Sequence, residues 1–395
     1  MWDRFSAGEM ERRRRLAREL MAEQELRALV VFGNSGTNRA NMANAFWLSN
    51  HLDLHHAYVV VGADEEQGGA VYTGLTNHVP NAREVTDLPI VEWGTYSPAD
   101  RVAARLRAID ADHGPIGLVG VSAKFDTGMP YPHYLRLREL LPKIETVDVT
   151  GPFARLRLVK SDEEIEWLRR GAALTDQAML AVANSARPGV SEAELVGAAE
   201  AAYRSEGGLP RITFLRSMPM DAPNGCLPAQ NPSRRRLEAG DVVITEISAS
   251  HWGYTGQIQR PVFVGAEPTA AWQRMLDAAL AAYRGMEGAV RTGATEADAL
   301  AAAEPIRDAG YLIYDDLLHG YGVDIMPPII DRVQFARRPE DEGARFERGM
   351  AIVLQPNPIT PDERMGVQLG ELTIVGDEGA ESLHRVPLEP LFAPA

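Results

Sequence analysis

Three histidines and an aspartate crowd into Asn50-His51-Leu52-Asp53-Leu54-His55-His56. Alternate side chains of an extended strand share a face, so His51, Asp53 and His55 would project together and by composition mimic a metal site, though no metal is assigned to them. Cys226, within Asn224-Gly225-Cys226-Leu227-Pro228, is the only thiol of the chain. A lone cysteine is more often a small buried apolar group than a nucleophile; paired with His319 it would supply acyl-transfer chemistry. Glu246 and Gln355 form a third set, 109 positions apart, each just beyond one of two matching segments, Gly240-Asp241-Val242-Val243-Ile244 and Gly349-Met350-Ala351-Ile352-Val353.

These segments belong to a weak internal repeat. Arg187-Pro188-Gly189-Val190-Ser191-Glu192-Ala193-Glu194 is echoed by Arg291-Thr292-Gly293-Ala294-Thr295-Glu296-Ala297-Asp298, 104 positions on, and each copy opens a helix with a Ser or Thr cap. Two helix-then-strand halves would put Glu246 and Gln355 on equivalent strands across a pseudo-twofold axis. Chance similarity between two ordinary helix starts is the plainer alternative.

The first 150 residues or so alternate between helical and strand patterns. A helix over Met10–Leu26, with Arg12 to Arg15 on its solvated face, precedes strands at Leu29–Gly33, Ala57–Val61, Ala70–Thr73 and Ile116–Val121. Helices over Pro98–Ile109 and Pro132–Leu141 complete an α/β domain with a mixed sheet. Its end is placed near Asp148–Pro152, giving domains 1–152 and 153–395. Gly33-Asn34-Ser35-Gly36 lacks the glycine spacing of a phosphate-binding loop and reads as a turn. Ser161 and Glu164 form a capping box that opens a long helix to about Ala183, and Arg234 to Arg236 read as a solvated bend.

Composition narrows the function classes. The 395 residues carry 55 Asp and Glu against 40 Lys and Arg, a net charge of −15 that argues against a broad nucleic-acid or anionic-membrane surface. One cysteine excludes an intrachain disulfide and a multi-thiolate zinc site. The polar start and the lack of a long apolar run predict a cytoplasmic protein with a small-molecule substrate, no nucleic acid and no membrane.

The order of motifs resembles the pita-bread superfamily of methionine aminopeptidase, Xaa-Pro aminopeptidase, prolidase and creatinase. The resemblance runs through Arg157 to Ile165, Pro228 to Asp241, Glu246 to Val264 with Gly253, Tyr254 and Arg260, His319-Gly320-Tyr321-Gly322, Gly349 to Pro356, and Gly366 to Val375. The first 150 or so residues are similar to the creatinase-type N-terminal domain. It implies an α/β N-terminal domain, an α+β pita-bread C-terminal domain with an internal pseudo-twofold repeat, and a homodimer. In the metallopeptidases of this family five side chains hold two divalent metals that polarise the scissile carbonyl and generate hydroxide.

Carried over, those ligand positions fall on Glu246, Gln257, His319, Gln355 and Gly370, with Glu371 matching an Asp that follows the last ligand in many members. Hard cations favour anionic oxygen, so the resemblance here implies no family-type dinuclear centre and no cofactor. The family's second His falls on Met326, and the His before the first strand on Ala229 or Gln230. Creatinase shares the fold and works without metal, but its hairpin Glu falls on Gln259 and its later Glu on Gln355. The expectation is a metal-independent, creatinase-like hydrolase cleaving a carbon-nitrogen bond (amide, lactam or amidine) of a small non-peptide metabolite. In it Glu246 acts as base and His319 as acid or oxyanion stabiliser. Gln230, Gln257, Gln259, Arg260, Gln355, Glu371, Tyr254 and His55 line the substrate, with Gln368 near them, and His55 is brought by the N-terminal loop of the dimer partner. For Arg260 a structural pairing with Glu246 or Glu371 is the favoured role, and Tyr254 can be core alone. A divergent Xaa-Pro peptidase with an atypical metal site (one ion on Glu246, His319 and Glu371), a lyase or isomerase, and a non-catalytic binding module are the alternatives.

Overall fold

The computed structural model describes residues 3–121, 128–337 and 342–394. The chain divides into two compact units, Met1–Arg157 and Leu158–Ala395. The division lies beyond the expected 152 because the helix Thr150–Leu156 belongs to the first unit, with Phe153 buried edge-on against Trp47 at 5.5 Å.

The first unit is built on a six-stranded sheet of β1 (Ala28–Asn34), β2 (His56–Gly62), β3 (Gly69–Thr73), β4 (Ile90–Trp93), β5 (Gly114–Val119) and β6 (Ile144–Asp148), in the order β4-β3-β2-β1-β5-β6. β1 runs antiparallel to β2 and parallel to β5. Leu29, Val30 and Val31 are buried on both faces, which is why this strand reads as an unbroken apolar run. β5 stops at Val119, ahead of Gly120 with its φ of +86°. The first helix spans Ala7–Glu23, capped by Ser6 accepting from the Glu9 amide. Its arginine run is not wholly solvated: Arg13 is fully buried, donates to Glu9 at 2.7 Å and stacks over Phe5.

The second unit holds β7 (Leu209–Pro219), β8 (Asp241–His251), β9 (Tyr254–Thr255), β10 (Ile258–Gln259), β11 (Val262–Val264), β12 (Leu312–Ile313), β13 (Leu318–Gly320), β14 (Met326–Ile330), β15 (Ala351–Leu354), β16 (Pro358–Ile359), β17 (Gly370–Val375), β18 (Ala380–Ser382) and β19 (Leu391–Ala393). An eleven-stranded sheet follows the path β14-β13-β15-β17-β10-β8-β11-β19, with β18 on β17 and β7 and β9 on β8. The helix Asp162–Ser185, opened by the Ser161–Glu164 capping box, packs Met179 and Val182 with Val243, Ile247 and Ile258. The helix Ala270–Ala289 packs Tyr283 and Met286 with Ile352 and Leu354.

The repeat is visible in the hydrogen bonds. Ser191 bridges Arg236 as Thr295 bridges Arg345, the Gly189 amide donates to Leu237 as the Gly293 amide does to Phe346, and both caps form capping boxes. Gly240 and Gly349 turn into β8 and β15 at φ of +89° and +86°, a left-handed conformation that glycine adopts without penalty. Arg235 is tied down rather than solvated, with two bonds to the buried Asp241.

Candidate active site

Register places the site. Ile258 pairs with Ile247 and with Glu371, Gln259 with Gly370, and Leu354 with Glu371. One position further along, Glu246, Gln259, Gly370 and Gln355 therefore stand side by side across β8, β10, β17 and β15. Gln257, two residues from Gln259, shares their face.

Amide hydrogen bonds knit this row together. Gln355 Oε1 accepts from Gln257 Nε2 at 3.1 Å and from Gln259 Nε2 at 3.0 Å, while its own Nε2 donates to the Asp316 carbonyl at 3.0 Å. Gln257 Nε2 also donates to Glu246 Oε1 at 3.0 Å. Both hydrogens of Gln257 are thus committed, and Gln355 sets the orientation of its neighbours. Gln259 Oε1 is buried without a partner, as is Asn357 Nδ2.

Glu246 is the ionisable group of the row. Burial, helped by the charges of Asp315 and Asp316, raises its carboxyl to about 8, so it exchanges its proton near neutrality, as a general acid or base requires. His319, on β13, is lowered chiefly by burial. Its Nδ1 lies 3.1 Å from the Gly320 carbonyl oxygen. A carbonyl only accepts, so Nδ1 carries the proton and the neutral ring presents Nε2 as an acceptor. That tautomer opposes the expected role of His319 as acid or oxyanion donor.

Arg260 is fully buried and spends every donor within the protein. It pairs with Glu371 and donates to the carbonyls of Gln259, Gly370, Val386 and Pro387. Tyr283 completes Glu371 at 3.2 Å. Neither Arg260 nor Glu371 has the freedom expected of a substrate group; together they brace β10 against β17. Tyr254 donates to Glu164 at 2.6 Å and belongs to the packing of the long helix. Gln230 is exposed and has no described bond into the row. Gln368 reaches the Cys226 carbonyl at 3.4 Å. The Cys226 thiol is pushed up by burial and by Glu363, which opposes a thiolate nucleophile. His55 lies in the first unit, where its ring neighbours His78. Asp315, Asp316 and Asn357 escaped the sequence reading; the adjacent acid pair just before Leu317-Leu318-His319 was the available signal.

These residues do not fit a dinuclear centre. Two of the positions are neutral glutamines bonded to one another, and a side chain at Gly370 would collide with the Leu354 carbonyl and stand 2.8 Å from Gln355 Cα. The single-ion set Glu246, His319 and Glu371 is not gathered either. Among the described residues the one group of three converging His, Cys, Asp or Glu side chains is Asp110, Asp112 and His113 in the first unit.

A two-unit chain with an acidic first-strand residue, a histidine turn and a pseudo-twofold sheet is of the pita-bread class. Residues 166–377 match metallopeptidase family M24, more than half of the chain, and residues 13–159 match the creatinase/prolidase N-terminal domain. The chain belongs to metallopeptidase family M24. It is 23% identical over 361 residues to the Xaa-Pro dipeptidase of Pyrococcus furiosus, covering 89% of this chain and 94% of that one. To the probable dipeptidase PepE of Mycobacterium tuberculosis it is 27% identical over 322 residues, 78% and 82% of the two chains. The dipeptidase PepE structure from Mycobacterium ulcerans superposes with a TM-score of 0.78 at 22% identity over 100% of both chains. The X-Pro aminopeptidase structure from Thermotoga maritima does so with 0.78 at 19% identity, over 96% and 99%. These likenesses overturn the expectation of a metal-independent hydrolase of a non-peptide metabolite, because the relatives it matches along most of their length are named as dipeptidases. None of the described helices is long and apolar enough to cross a membrane.

Proposed function

We propose that this protein is a divergent dipeptidase of the Xaa-Pro class, a hydrolase of carbon-nitrogen bonds whose centre is not the standard dinuclear one. The observation that carries this reading is the row Glu246, Gln259, Gly370 and Gln355. It leaves one titrating carboxyl among neutral neighbours in a chain whose relatives are named as dipeptidases.

Glu246 takes a proton from water as the water oxygen bonds to the peptide carbonyl carbon. As the carbon-nitrogen bond breaks, the same carboxyl returns that proton to the leaving nitrogen, so no proton is gained or lost. Gln257 holds the carboxylate by its Oε1, and His319 Nε2 accepts from an N–H at the amino end of the dipeptide. Gln259 Oε1, without a protein partner, accepts from a second substrate N–H or from the attacking water. Assembly as a homodimer belongs to the same reading, and sedimentation tests it.

A panel of dipeptides with proline or another residue in second place tests the substrate class. Free amino acids should appear from the proline members and be reduced or absent for the others. Equal cleavage of all, or cleavage of none, contradicts the reading.

A further inference from the structure

The histidine cluster of the first unit lies outside the proposed reaction. Five of the nine histidines gather there: His51, His55, His56, His78 and His133. At its centre is Asp53, whose side chain is fully buried. One oxygen accepts from His78 Nδ1 at 2.6 Å and from the His55 amide at 2.9 Å; the other meets His51 Nε2 at 3.2 Å.

Because a carboxylate only accepts, His78 donates from Nδ1, and in the neutral ring, the form that ligates a metal, Nε2 holds the lone pair. This is the arrangement in which a carboxylate orients a metal-ligating imidazole. The His55 ring is exposed and lies 5.6 Å from the His78 ring, centre to centre, at an angle of 38°. Two imidazoles bonded at about 2.0–2.1 Å to one tetrahedral ion hold their ring centres roughly 5 Å apart. Gly74 permits the approach, since a Cβ there would stand 2.9 Å from that of His55.

We propose that His55 and His78, with Asp53 orienting His78, bind one divalent transition ion, zinc being the reference case. Two positions are filled by imidazole and the others stay open to water, so the ion is held at the surface of the first unit. The proposal rests on residues of the first unit alone and does not depend on whether the Glu246 row cleaves dipeptides.

The test uses the full chain, stripped with a chelator, dialysed and titrated with zinc and with nickel by calorimetry. One equivalent taken up by the wild type should disappear in His55→Ala and in His78→Gln, which keeps a donor toward Asp53 but loses the lone pair. Asp53→Asn should weaken it about 10–100-fold. His113→Ala, at the Asp110–Asp112–His113 group, should leave it unchanged. His55 is exposed, so its variant keeps the fold, and circular dichroism verifies this. Identical titrations of wild type and His55→Ala, no uptake at all, or loss of the equivalent in His113→Ala would overturn the proposal.

Discussion

The side-chain carbonyl of Gln259 stands 2.9 Å from the point where a side chain on Gly370 would begin. The two positions are partners in register on β10 and β17, and the glutamine occupies space that a side chain on the glycine would need. A side chain at Gly370 and the Gln259 amide in its present place therefore exclude one another.

Gly370→Glu should fail to restore ligand chemistry. The new Cβ meets backbone atoms, the Leu354 carbonyl and Gln355 Cα, which move less readily than side-chain ends. Overpacking of this kind costs about 1–3 kcal/mol. A lowered urea midpoint without added metal uptake is the expected result.

Arg260 and Glu371 form a buried ion pair with every guanidinium hydrogen engaged. Removing one partner strands the other charge, and Arg260→Met should cost about 3–5 kcal/mol by denaturant unfolding. If the pair served the substrate instead, stability would change little and the KM for a dipeptide would rise.

Glu246 binds its proton more tightly folded than unfolded, since about 8 lies above the ordinary value of 4.5. The folded state then holds one proton more between those two pH values, and stability falls as pH rises through that window. Glu246→Gln removes this dependence. Relative to the wild type it should gain up to about 1.4 kcal/mol per pH unit between pH 5 and 8, read from urea midpoints at each pH.

Gln355 accepts two amide bonds and donates a third. Gln355→Leu leaves buried donors on Gln257 and Gln259 unpaired, at about 1–3 kcal/mol each. Dipeptide turnover should fall at least tenfold while Gln355→Glu, which keeps the acceptor, retains more of it; equal losses would contradict the positioning role.

The fold was legible because its signals are local. The Ser161–Glu164 box and the paired starts at Ser191 and Thr295 mark helices that form as read, and the unbroken apolar run of β1 marks a strand buried on both faces. The strands β4 and β6 are only partly buried, so neither carries the apolar run that marks β1 and β3. At the site, residue types indicated lost ligands, but partners depend on register and tautomer. No spacing rule foretells that Arg260 spends all its donors on Glu371 and carbonyls, or that Gly320 fixes the proton of His319. The buried Arg13 inside a charged run was hidden for the same reason: its Glu9 and Phe5 partners are a matter of packing.

The role of Glu246 is read from the pH dependence of kcat/KM on an Xaa-Pro dipeptide, measured for wild type and Glu246→Gln as purified. Wild-type activity should rise with pH through a single step near 8, where the Glu246 carboxyl loses its proton. Glu246→Gln should lose about 10²–10⁴-fold and the step with it. Full turnover by Glu246→Gln, or a wild-type profile with no step near 8, would contradict the account.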